Sequence, residues 1–182
     1  MIAGCLDDLV QQSMFIKGEM EILIIDSGSQ EEEGEIVREY QSRYDRIRYF
    51  RTEQRETLYR SWNRAVEKAQ GEYLTNANTD DRHESNCIEI LANTLDENPD
   101  CGLCYGNLFK SSDPNQSFNH QDESNLCESQ EFFPASALLH CTNGAQPLWR
   151  KALHDQVGLF DEKFKAIGDH DFAIRLAKNG VR

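Results

Sequence analysis

The sequence predicts an α/β fold in which a largely parallel β-sheet is covered by helices on both faces. Segments with helical periodicity alternate with short apolar runs over residues 2–109, and this order favours parallel strands joined by helices. A length of 182 residues suits one domain, and 38% apolar residues are enough to build its core. We therefore expect residues 1–182 to form a single domain.

The first part of the chain carries the clearest alternation. Residues 2–12 place apolar side chains on one helical face, and the continuous apolar run at 21–26 is typical of a strand covered on both sides. Glutamates at 31–33 suit the start of the next helix, because negative charge is favourable at a helix N-terminus. A short strand is predicted at 46–51.

The next segments continue the pattern. A helix at 56–70 is predicted from an apolar stripe that stops before Gly71, namely Leu58, Trp62, Ala65, Val66 and Ala69. A strand at 72–77, a helix around 88–95 and a strand at 101–109 follow. The polar segment 110–131 is predicted to be a long loop.

The last part of the chain differs in character. Pro147 is predicted to open a helix that runs to about residue 157, because proline is favoured in a first helical turn. A final helix is predicted to begin at Gly168. Asp169 and Asp171 lie in its first turn, where they would cap the helix or stabilise its positive end. His170 is either a ligand or a partly buried neighbour of these carboxylates.

The stretch Asn78-Thr79-Asp80-Asp81 follows the strand at 72–77. Two adjacent carboxylates at the end of a buried strand repel each other, and a bound Mg²⁺ or Mn²⁺ would remove that cost. The alternative is that Asp80 or Asp81 caps the next helix. In a parallel sheet, ligands bind outside the carboxyl ends of the strands, so Asp26 and Asp80 are expected to face one crevice.

The composition argues against several classes of function. A net charge of −13 disfavours nucleic acid as a partner and also disfavours a polybasic membrane anchor. We see neither a transmembrane segment nor a secretory signal. Six cysteines include Cys101 and Cys104 on a predicted strand, which favours reduced thiols over a zinc or redox site. The expected location is cytoplasmic, with a peripheral position at the inner face of the membrane left open.

Four segments together resemble the family-2 glycosyltransferases of the GT-A fold. They are Ile24–Ser29, then Trp62–Ala65 with Gly71–Arg82, then Pro147–Arg150 with Gly158–Glu162, and lastly Gly168–Phe172. The segments occur in the order of the family, and the second with the fourth is the most specific combination. The resemblance covers roughly residues 2–180 and implies a GT-A-like (Rossmann-like) α/β fold.

The resemblance implies a binding site for a nucleotide-sugar donor at the carboxyl edge of the sheet. Asp26 would contact the base, with Ser27 standing where the family often has a second Asp. Asn78 replaces the first Asp of the DXD-like segment and would bind the ribose together with Asp80. Asp80 and Asp81 would hold Mn²⁺ or Mg²⁺, which binds the diphosphate.

The resemblance also implies the chemistry. Asp169 matches the catalytic base of the family, and Asp171 and Trp149 would bind the acceptor, although Trp149 fits a core position equally well. Residues 143–150 would form the floor of the acceptor pocket. The implied reaction is an inverting, metal-dependent transfer of a hexose to a hydroxyl of a saccharide or lipid-linked acceptor, as in polysaccharide biosynthesis.

The sequence departs from the family at its start. Family members begin with a strand that carries a Thr/Ser-Tyr-Asn turn, and no segment before Glu21 has the pattern of that strand. We therefore expect an N-terminally truncated catalytic domain that is incomplete at both ends. A sheet without its central strand has an unpaired edge, which would favour a homo-oligomer.

Two other functions fit part of the pattern. The first is a non-catalytic binding module with a glycosyltransferase-like fold, which Asn78, Ser27 and the missing strand favour. The second is a phosphatase or nucleotidyltransferase that uses the same acids with a metal. The sequence supplies neither the nucleophile nor the basic phosphate loop of such enzymes.

Overall fold

Helices and strands alternate along most of the chain, as predicted, and the α/β class is confirmed. The computed structural model describes residues 1–113, 116–118, 122–130 and 146–181. Its elements are α1 (Ile2–Val10), α2 (Ser13–Lys17), β1 (Ile22–Asp26), α3 (Glu33–Arg43), β2 (Ile47–Arg51), α4 (Leu58–Lys68), β3 (Tyr73–Thr75), α5 (Cys87–Glu97), β4 (Leu103–Cys104), β5 (Leu108–Phe109), β6 (Leu126–Cys127), β7 (Leu148–Arg150), α6 (Leu153–Val157) and α7 (Gly168–Lys178).

The described strands form three small ladders. β1 and β2 are parallel, with Ile22 opposite Ile47 and Asp26 opposite Arg51. β7 lies between β3 and β4 and is antiparallel to both. β5 and β6 form a separate antiparallel pair. Among the described strands, the predicted parallel pairing is therefore confined to β1 and β2.

Residues 148–150 form a strand, so the prediction that a helix opens at Pro147 is wrong. Leu148 lies opposite Thr75 of β3 and Cys104 of β4, so this strand is hydrogen-bonded along both edges. Leu148 and Trp149 are buried as a result. The fixed φ of proline suits the first residue of a strand as well as a first helical turn. The helix of this region, α6, begins only at Leu153.

The described part of the segment 101–130 is also more structured than predicted. The single strand expected at 101–109 is split into β4 and β5. The polar segment expected to be a loop contains a 3₁₀ turn at Glu123–Asn125 and then β6, which pairs with β5. Lys110 extends this pairing, because its backbone N–H donates to the carbonyl of Asn125 at 3.1 Å.

The buried residues form three clusters. One joins α1 and α2 to α3 and the β1–β2 pair, and another packs α5 against β7. The remaining cluster is rich in aromatic rings and draws on α4, β7, α6 and α7; its buried members are Tyr59, Val66, Trp149, Leu153, Phe160, Phe172 and Leu176. This aromatic cluster brings the middle of the chain against its C-terminal part.

Two further properties concern the described residues alone. No helix among them combines the length and the hydrophobicity needed to cross a membrane. The five cysteines in the described ranges, Cys5, Cys87, Cys101, Cys104 and Cys127, are free thiols. Cys104 donates its S–H to the carbonyl of Leu91 at 3.3 Å, and burial raises the pKa of its thiol to about 11. A thiol held protonated in this way is a poor metal ligand and nucleophile.

Candidate active site

Asp26 ends β1 and is held by three neighbours. Its Oδ1 accepts a hydrogen bond from the backbone N–H of Ser29 at 2.7 Å, and its Oδ2 accepts from Arg51 Nη1 at 2.9 Å and from the Tyr49 hydroxyl. The residue is only 7% exposed. Burial raises the pKa of the carboxyl, but these hydrogen bonds and the Arg51 charge together outweigh burial and hold the pKa below its usual value.

Ser27 continues this turn and fastens it to the segment before α4. Its Oγ accepts a hydrogen bond from the backbone N–H of Glu56 and donates to the Glu56 carbonyl at 3.3 Å. Gly28 has a φ of +64°, and a Cβ there would lie 3.2 Å from the backbone N of Arg55. The two residues predicted to meet the nucleotide base therefore lie in a turn that is fixed against residues 54–56.

The acidic turn after β3 has its own internal hydrogen bonds. Asn78 Nδ2 donates to Asp81 Oδ2 at 2.7 Å, and Gln146 Nε2 lies 3.3 Å from the same oxygen. Asp80 is exposed. The next helix, α5, begins only at Cys87 with Asn86 as its N-cap residue. The alternative in which one of these aspartates caps that helix is therefore wrong.

Arg82 stabilises the acidic turn through hydrogen bonds to its backbone. Its guanidinium Nη1 donates to the carbonyls of Asp81 at 2.7 Å and Thr79 at 3.2 Å. It packs over Gly4 of α1, where a Cβ would lie 2.6 Å from Arg82 Nη2. The Arg82 side chain is nearly buried, and its Nε lies 3.9 Å from Asp8 Oδ2. The position of the two aspartates is thus tied to the N-terminal helix.

The donor set of this turn fits a cation that is shared with phosphates. Within the described ranges, no group of three or more His, Cys, Asp or Glu side chains is placed to hold a metal ion. Asp80 and Asp81 offer two neighbouring carboxylates, and Mg²⁺ is usually held by one or two carboxylates together with substrate phosphates and water. The turn therefore fits a cation bound together with a diphosphate and does not fit one held by protein ligands alone.

A cavity of about 200 Å³ lies between the aromatic cluster and the end of β3. It is lined by Leu58, Tyr59, Trp62, Asn76, Asn78, Leu103, Pro147, Trp149, Phe160, Asp169 and Phe172. Three of the residues predicted for the site, Asn78, Trp149 and Asp169, meet here. The other five are not part of the lining, namely Asp26, Ser27, Asp80, Asp81 and Asp171.

Asp169 enters the cavity from the first turn of α7. Its Oδ1 accepts a hydrogen bond from the hydroxyl of Tyr59 at 3.0 Å. The N-cap residue of α7 is Ile167, and no side chain caps this helix, so the capping interpretation of Asp169 is wrong. Its charge nevertheless lies at the positive end of the helix, where a carboxylate is stabilised.

Trp149 lies in the core and at the cavity wall at once, and its acceptor-binding role stays a prediction. Its Nε1–H donates to His154 Nε2 at 3.0 Å, while His154 Nδ1 lies 3.2 Å from the Gly158 carbonyl. Because the indole only donates, these contacts assign the neutral tautomer with the proton on Nδ1. Burial lowers the pKa of His154 and favours this neutral form.

Asp171 has a different environment. Its Oδ2 forms an ion pair with Arg175 Nε at 2.9 Å, one helical turn further along α7. Arg175 also donates to the Leu159 carbonyl at 3.0 Å and to that of Val157, so the pair holds the segment before the helix. The acceptor-binding role assigned to Asp171 stays a prediction.

The cavity contains residues that the sequence reasoning missed, above all Tyr59 and Asn76. Tyr59 lies three residues before Trp62 on α4, so helical spacing alone could have placed both rings on one face. Leu58 was predicted in the buried stripe but is 50% exposed at the cavity. No local signal identified Asn76, which lies just beyond the end of β3. Of the predicted pocket floor, residues 143–145 lie outside the described residues.

Comparison with known sequences relates most of the chain to one family. A family model described as glycosyl transferase family 2 matches residues 1–157. The glycosyltransferase GlyG of Streptococcus pneumoniae is 26% identical over 117 residues, which is 64% of this chain and 38% of the relative. A PGL/p-HBAD biosynthesis glycosyltransferase of Mycobacterium bovis is 22% identical over 98% of this chain. That match covers 65% of the relative, so the chain spans less than two thirds of either protein.

Comparison with solved structures shows the fold. Residues 1–349 of TarS from S. aureus superpose with a TM-score of 0.71 and 21% identity over 98% of this chain and 51% of that TarS fragment. TarS has also been solved with UDP-GlcNAc. The mannosyltransferase PcManGT of Pyrobaculum calidifontis, solved with GDP-Man and Mn²⁺, gives a TM-score of 0.68 and 18% identity over 100% of this chain and 49% of PcManGT. The prediction of a GT-A-like α/β fold is thereby confirmed.

Proposed function

Because this chain belongs to glycosyl transferase family 2, we propose that it transfers a sugar from a nucleotide-sugar donor to a hydroxyl group of an acceptor. The observation that carries the proposal is the cavity in which Asp169, Asn78 and Trp149 meet. These residues come from three distant parts of the sequence and supply a carboxylate, an amide and an aromatic ring. A carboxylate at the wall of an aromatic cavity suits the deprotonation of an alcohol.

We assign Asp169 as the general base. In the proposed step, the acceptor hydroxyl gives its proton to Asp169 while its oxygen forms a bond to the anomeric carbon of the donor sugar. The bond from that carbon to the diphosphate oxygen breaks, and the nucleoside diphosphate leaves with the electron pair. One displacement of this kind inverts the anomeric configuration, as the resemblance implies.

The donor is proposed to bind along the carboxyl ends of β1 and β3. Asp26 and Ser27 would meet the base, and Asn78 with Asp80 would bind the ribose. Asp80 and Asp81 would hold Mn²⁺ or Mg²⁺ together with the diphosphate, which fits their two hard carboxylates. When bound, the cation stabilises the negative charge of the leaving diphosphate.

The acceptor, the extent of the domain, the cellular location and the oligomeric state are also proposals. Trp149 and Asp171 are proposed to bind a saccharide or lipid-linked acceptor. Residues 1–182 are proposed to form one catalytic domain, and a cytoplasmic location and a homo-oligomer also stay predictions. GDP-Man and UDP-GlcNAc, the donors bound by the two structural relatives, are the first donors to test.

One observation favours a non-catalytic binding module as a second candidate. Asn78, where the family commonly has an Asp, donates its amide to Asp81 at 2.7 Å. This bond and the contact from Gln146 use Asp81 Oδ2, so both compete with a cation for that oxygen. A chain that binds the nucleotide without turning over the donor would support this second function.

The experiment separates binding from transfer. Calorimetric titration with UDP and GDP, with and without Mn²⁺, measures binding, and release of nucleoside diphosphate from UDP-GlcNAc and GDP-Man measures turnover. We expect Asp80→Ala and Asp81→Ala to weaken Mn²⁺-dependent binding about tenfold or more, because each removes a charged oxygen. Asp169→Asn should leave binding unchanged and lower turnover by roughly 10²- to 10⁴-fold. Asp45→Ala, whose side chain is 93% exposed, is the matched control.

The outcomes divide the two candidates. Mn²⁺-dependent binding with turnover that needs Asp169 supports the transferase. Metal-dependent binding with no turnover of either donor supports the binding module. Turnover that persists at the wild-type rate in Asp169→Asn would show that another group is the base.

A further inference from the structure

Tyr59 and Asp169 join two distant parts of the chain at the wall of the cavity. Tyr59 lies on α4, only 2% exposed, and its hydroxyl donates to Asp169 Oδ1 at 3.0 Å. Both residues line the cavity. Among the described residues, Tyr59 is the hydrogen-bond donor to the Asp169 carboxylate, and it contacts Oδ1. The second oxygen, Oδ2, is available to another donor.

The ring of Tyr59 packs against three neighbours. It packs edge-on against Trp62, with ring centroids 5.5 Å apart, and lies tilted against Phe160 at 5.9 Å. The third neighbour is Gly168, where a Cβ would lie only 2.7 Å from the ring atom Cε2. The absence of a side chain at Gly168 is therefore what allows the phenol to reach the start of α7.

The backbone just before Asp169 is strained. Ile167 has a φ of 58°, a left-handed conformation that is a genuine outlier for a β-branched residue. Its side chain is 65% exposed, so burial of this residue does not explain the strain. Strained residues persist where the surrounding structure fixes them, and they are concentrated at functional sites. Ile167 is the N-cap residue of α7, so this left-handed turn lies two residues before Asp169.

We propose that Tyr59 is a positioning residue, which holds the Asp169 carboxylate in one orientation so that its second oxygen faces an incoming hydroxyl. The proposal rests on the proposed function, since it concerns the same base. It adds a residue on α4 that acts on the reaction through Asp169 without itself taking up a proton.

The chemistry of the phenol supports a donor role. Burial, the charge of Asp169 and the hydrogen bond to it all raise the pKa of Tyr59, and backbone N–H groups of Asp169 and Gly168 oppose this only in part. The hydroxyl therefore stays protonated and donates to the carboxylate throughout the neutral range. A protonated phenol can orient a base but cannot replace it.

The competing explanation is that Tyr59 only fills space in the aromatic cluster. The two explanations differ in the hydroxyl, because Tyr59→Phe keeps the ring and removes the O–H. If packing were the whole role, this variant would behave like the wild type. If the hydroxyl orients Asp169, the variant would lose turnover while keeping its affinity for the donor.

The test is a double-mutant cycle on the full chain with Tyr59→Phe, Asp169→Asn and both together. With Mn²⁺ and either UDP-GlcNAc or GDP-Man as the probe, we expect Tyr59→Phe to lower kcat roughly 10- to 100-fold, because a hydrogen bond to a charged group is lost. The KM for the donor should stay within about twofold of the wild type. In the Asp169→Asn background, Tyr59→Phe should have no further effect. Additive losses, or an unchanged kcat in the single variant, would overturn the proposal.

Tyr73→Phe is the matched control. The Tyr73 hydroxyl also bonds to a carboxylate, that of Asp96, and neither residue lines the cavity, so removal of this O–H should leave kcat unchanged. A thermal melt of each variant shows that the fold is retained.

A second readout does not depend on activity. The phenol of Tyr59 can be titrated by NMR through its ring carbon Cζ, identified by its loss in Tyr59→Phe. Asp169→Asn removes the negative charge beside the phenol and should lower the pKa of Tyr59. An unchanged Tyr59 pKa would refute the contact. Absence of wild-type turnover with both donors, with a shifted Tyr59 pKa, would instead count against the proposed function and leave the contact supported.

Discussion

Substitution of Gly168 by alanine tests the packing at the start of α7. A Cβ at this position would lie 2.7 Å from Cε2 of Tyr59 and 2.8 Å from both Cδ2 and Cζ. Carbon atoms do not approach this closely, so the ring or the helix must move. The ring cannot retreat easily, because Tyr59 is buried against Trp62 and Phe160. We therefore expect α7 to shift at its first turn, which carries Asp169.

The magnitude follows from two opposing effects. Overpacking a buried site costs about 1–3 kcal/mol of unfolding free energy. Alanine is favoured over glycine in a helix by at most about 1 kcal/mol, and by less at its first residue. The net loss is then on the order of 1–2 kcal/mol, and a chain of this length loses about 2–4 °C of Tm for each kcal/mol. We expect the Tm of Gly168→Ala to fall by roughly 2–8 °C.

Thermal unfolding and donor turnover provide the assay. The shift at Asp169 should also lower turnover about tenfold or more, because small displacements of a base are costly. Gly106→Ala is the matched control, since a Cβ there meets nothing within 4 Å and its φ is not positive. That variant should unfold at or slightly above the wild-type temperature. If Gly168→Ala kept the wild-type Tm and turnover, the start of α7 would not be packed tightly against the Tyr59 ring, and the reasoning would be refuted.

Three other perturbations have defined outcomes. Ile167→Asn should raise the unfolding free energy in urea by about 1 kcal/mol, because asparagine tolerates the left-handed backbone and little burial is lost. Burial lowers the pKa of His154 and holds the ring neutral, so the unfolding free energy should fall as the pH drops from the ordinary pKa of 6.5 towards the lowered pKa of the folded state. In His154→Gln, the urea midpoint of unfolding should depend less on pH over that range. Asn63→Leu should cost on the order of 3 kcal/mol in a thermal melt, because the N–H and carbonyl of Phe160 both lose their buried partner.

The elements that could be predicted from sequence are those with local signals. β1 is a continuous apolar run, and α1 and α5 show the 3.6-residue period of an amphipathic helix; all three lie where they were expected. The bounds of α4 at Leu58–Lys68 differ from the prediction by two residues at each end. Such differences arise because helix ends depend on caps, here the Thr57 side chain, which accepts from Arg60 N.

The element that could not be predicted depends on pairing between distant residues. Three residues at 148–150 are too few for either period to be decisive, and proline before them is compatible with a helix or a strand. What decides the conformation is that β3 and β4 lie on either side of this segment and take up its backbone hydrogen bonds. Neither neighbour is near in sequence, so no local rule could have found the strand.

The candidate site also combines features that local sequence predicts with features that depend on contacts between distant residues. Asp169 and Asn78 were identified one by one from motifs, but their meeting in one cavity depends on how α7 and β3 pack against the aromatic cluster. The pairing of Asp171 with Arg175 could have been predicted, because residues four apart on a helix face each other. The position of Tyr59 on the same helix face as Trp62 could have been predicted from their spacing. Its hydrogen bond to Asp169 could not, because the two residues are 110 positions apart in the sequence.

The carboxylates of the predicted site differ in how many of their hydrogen-bonding positions the protein already uses, and this ranks them for chemistry. Asp26 accepts from three neighbours and is buried, so it shapes the turn after β1 and has little capacity left for a proton or a cation. Asp171 is paired with Arg175. Asp80 is exposed, and Asp169 accepts from Tyr59 alone among the described residues. A carboxylate that must take a proton needs a free oxygen at a fixed position, which is the arrangement found at Asp169.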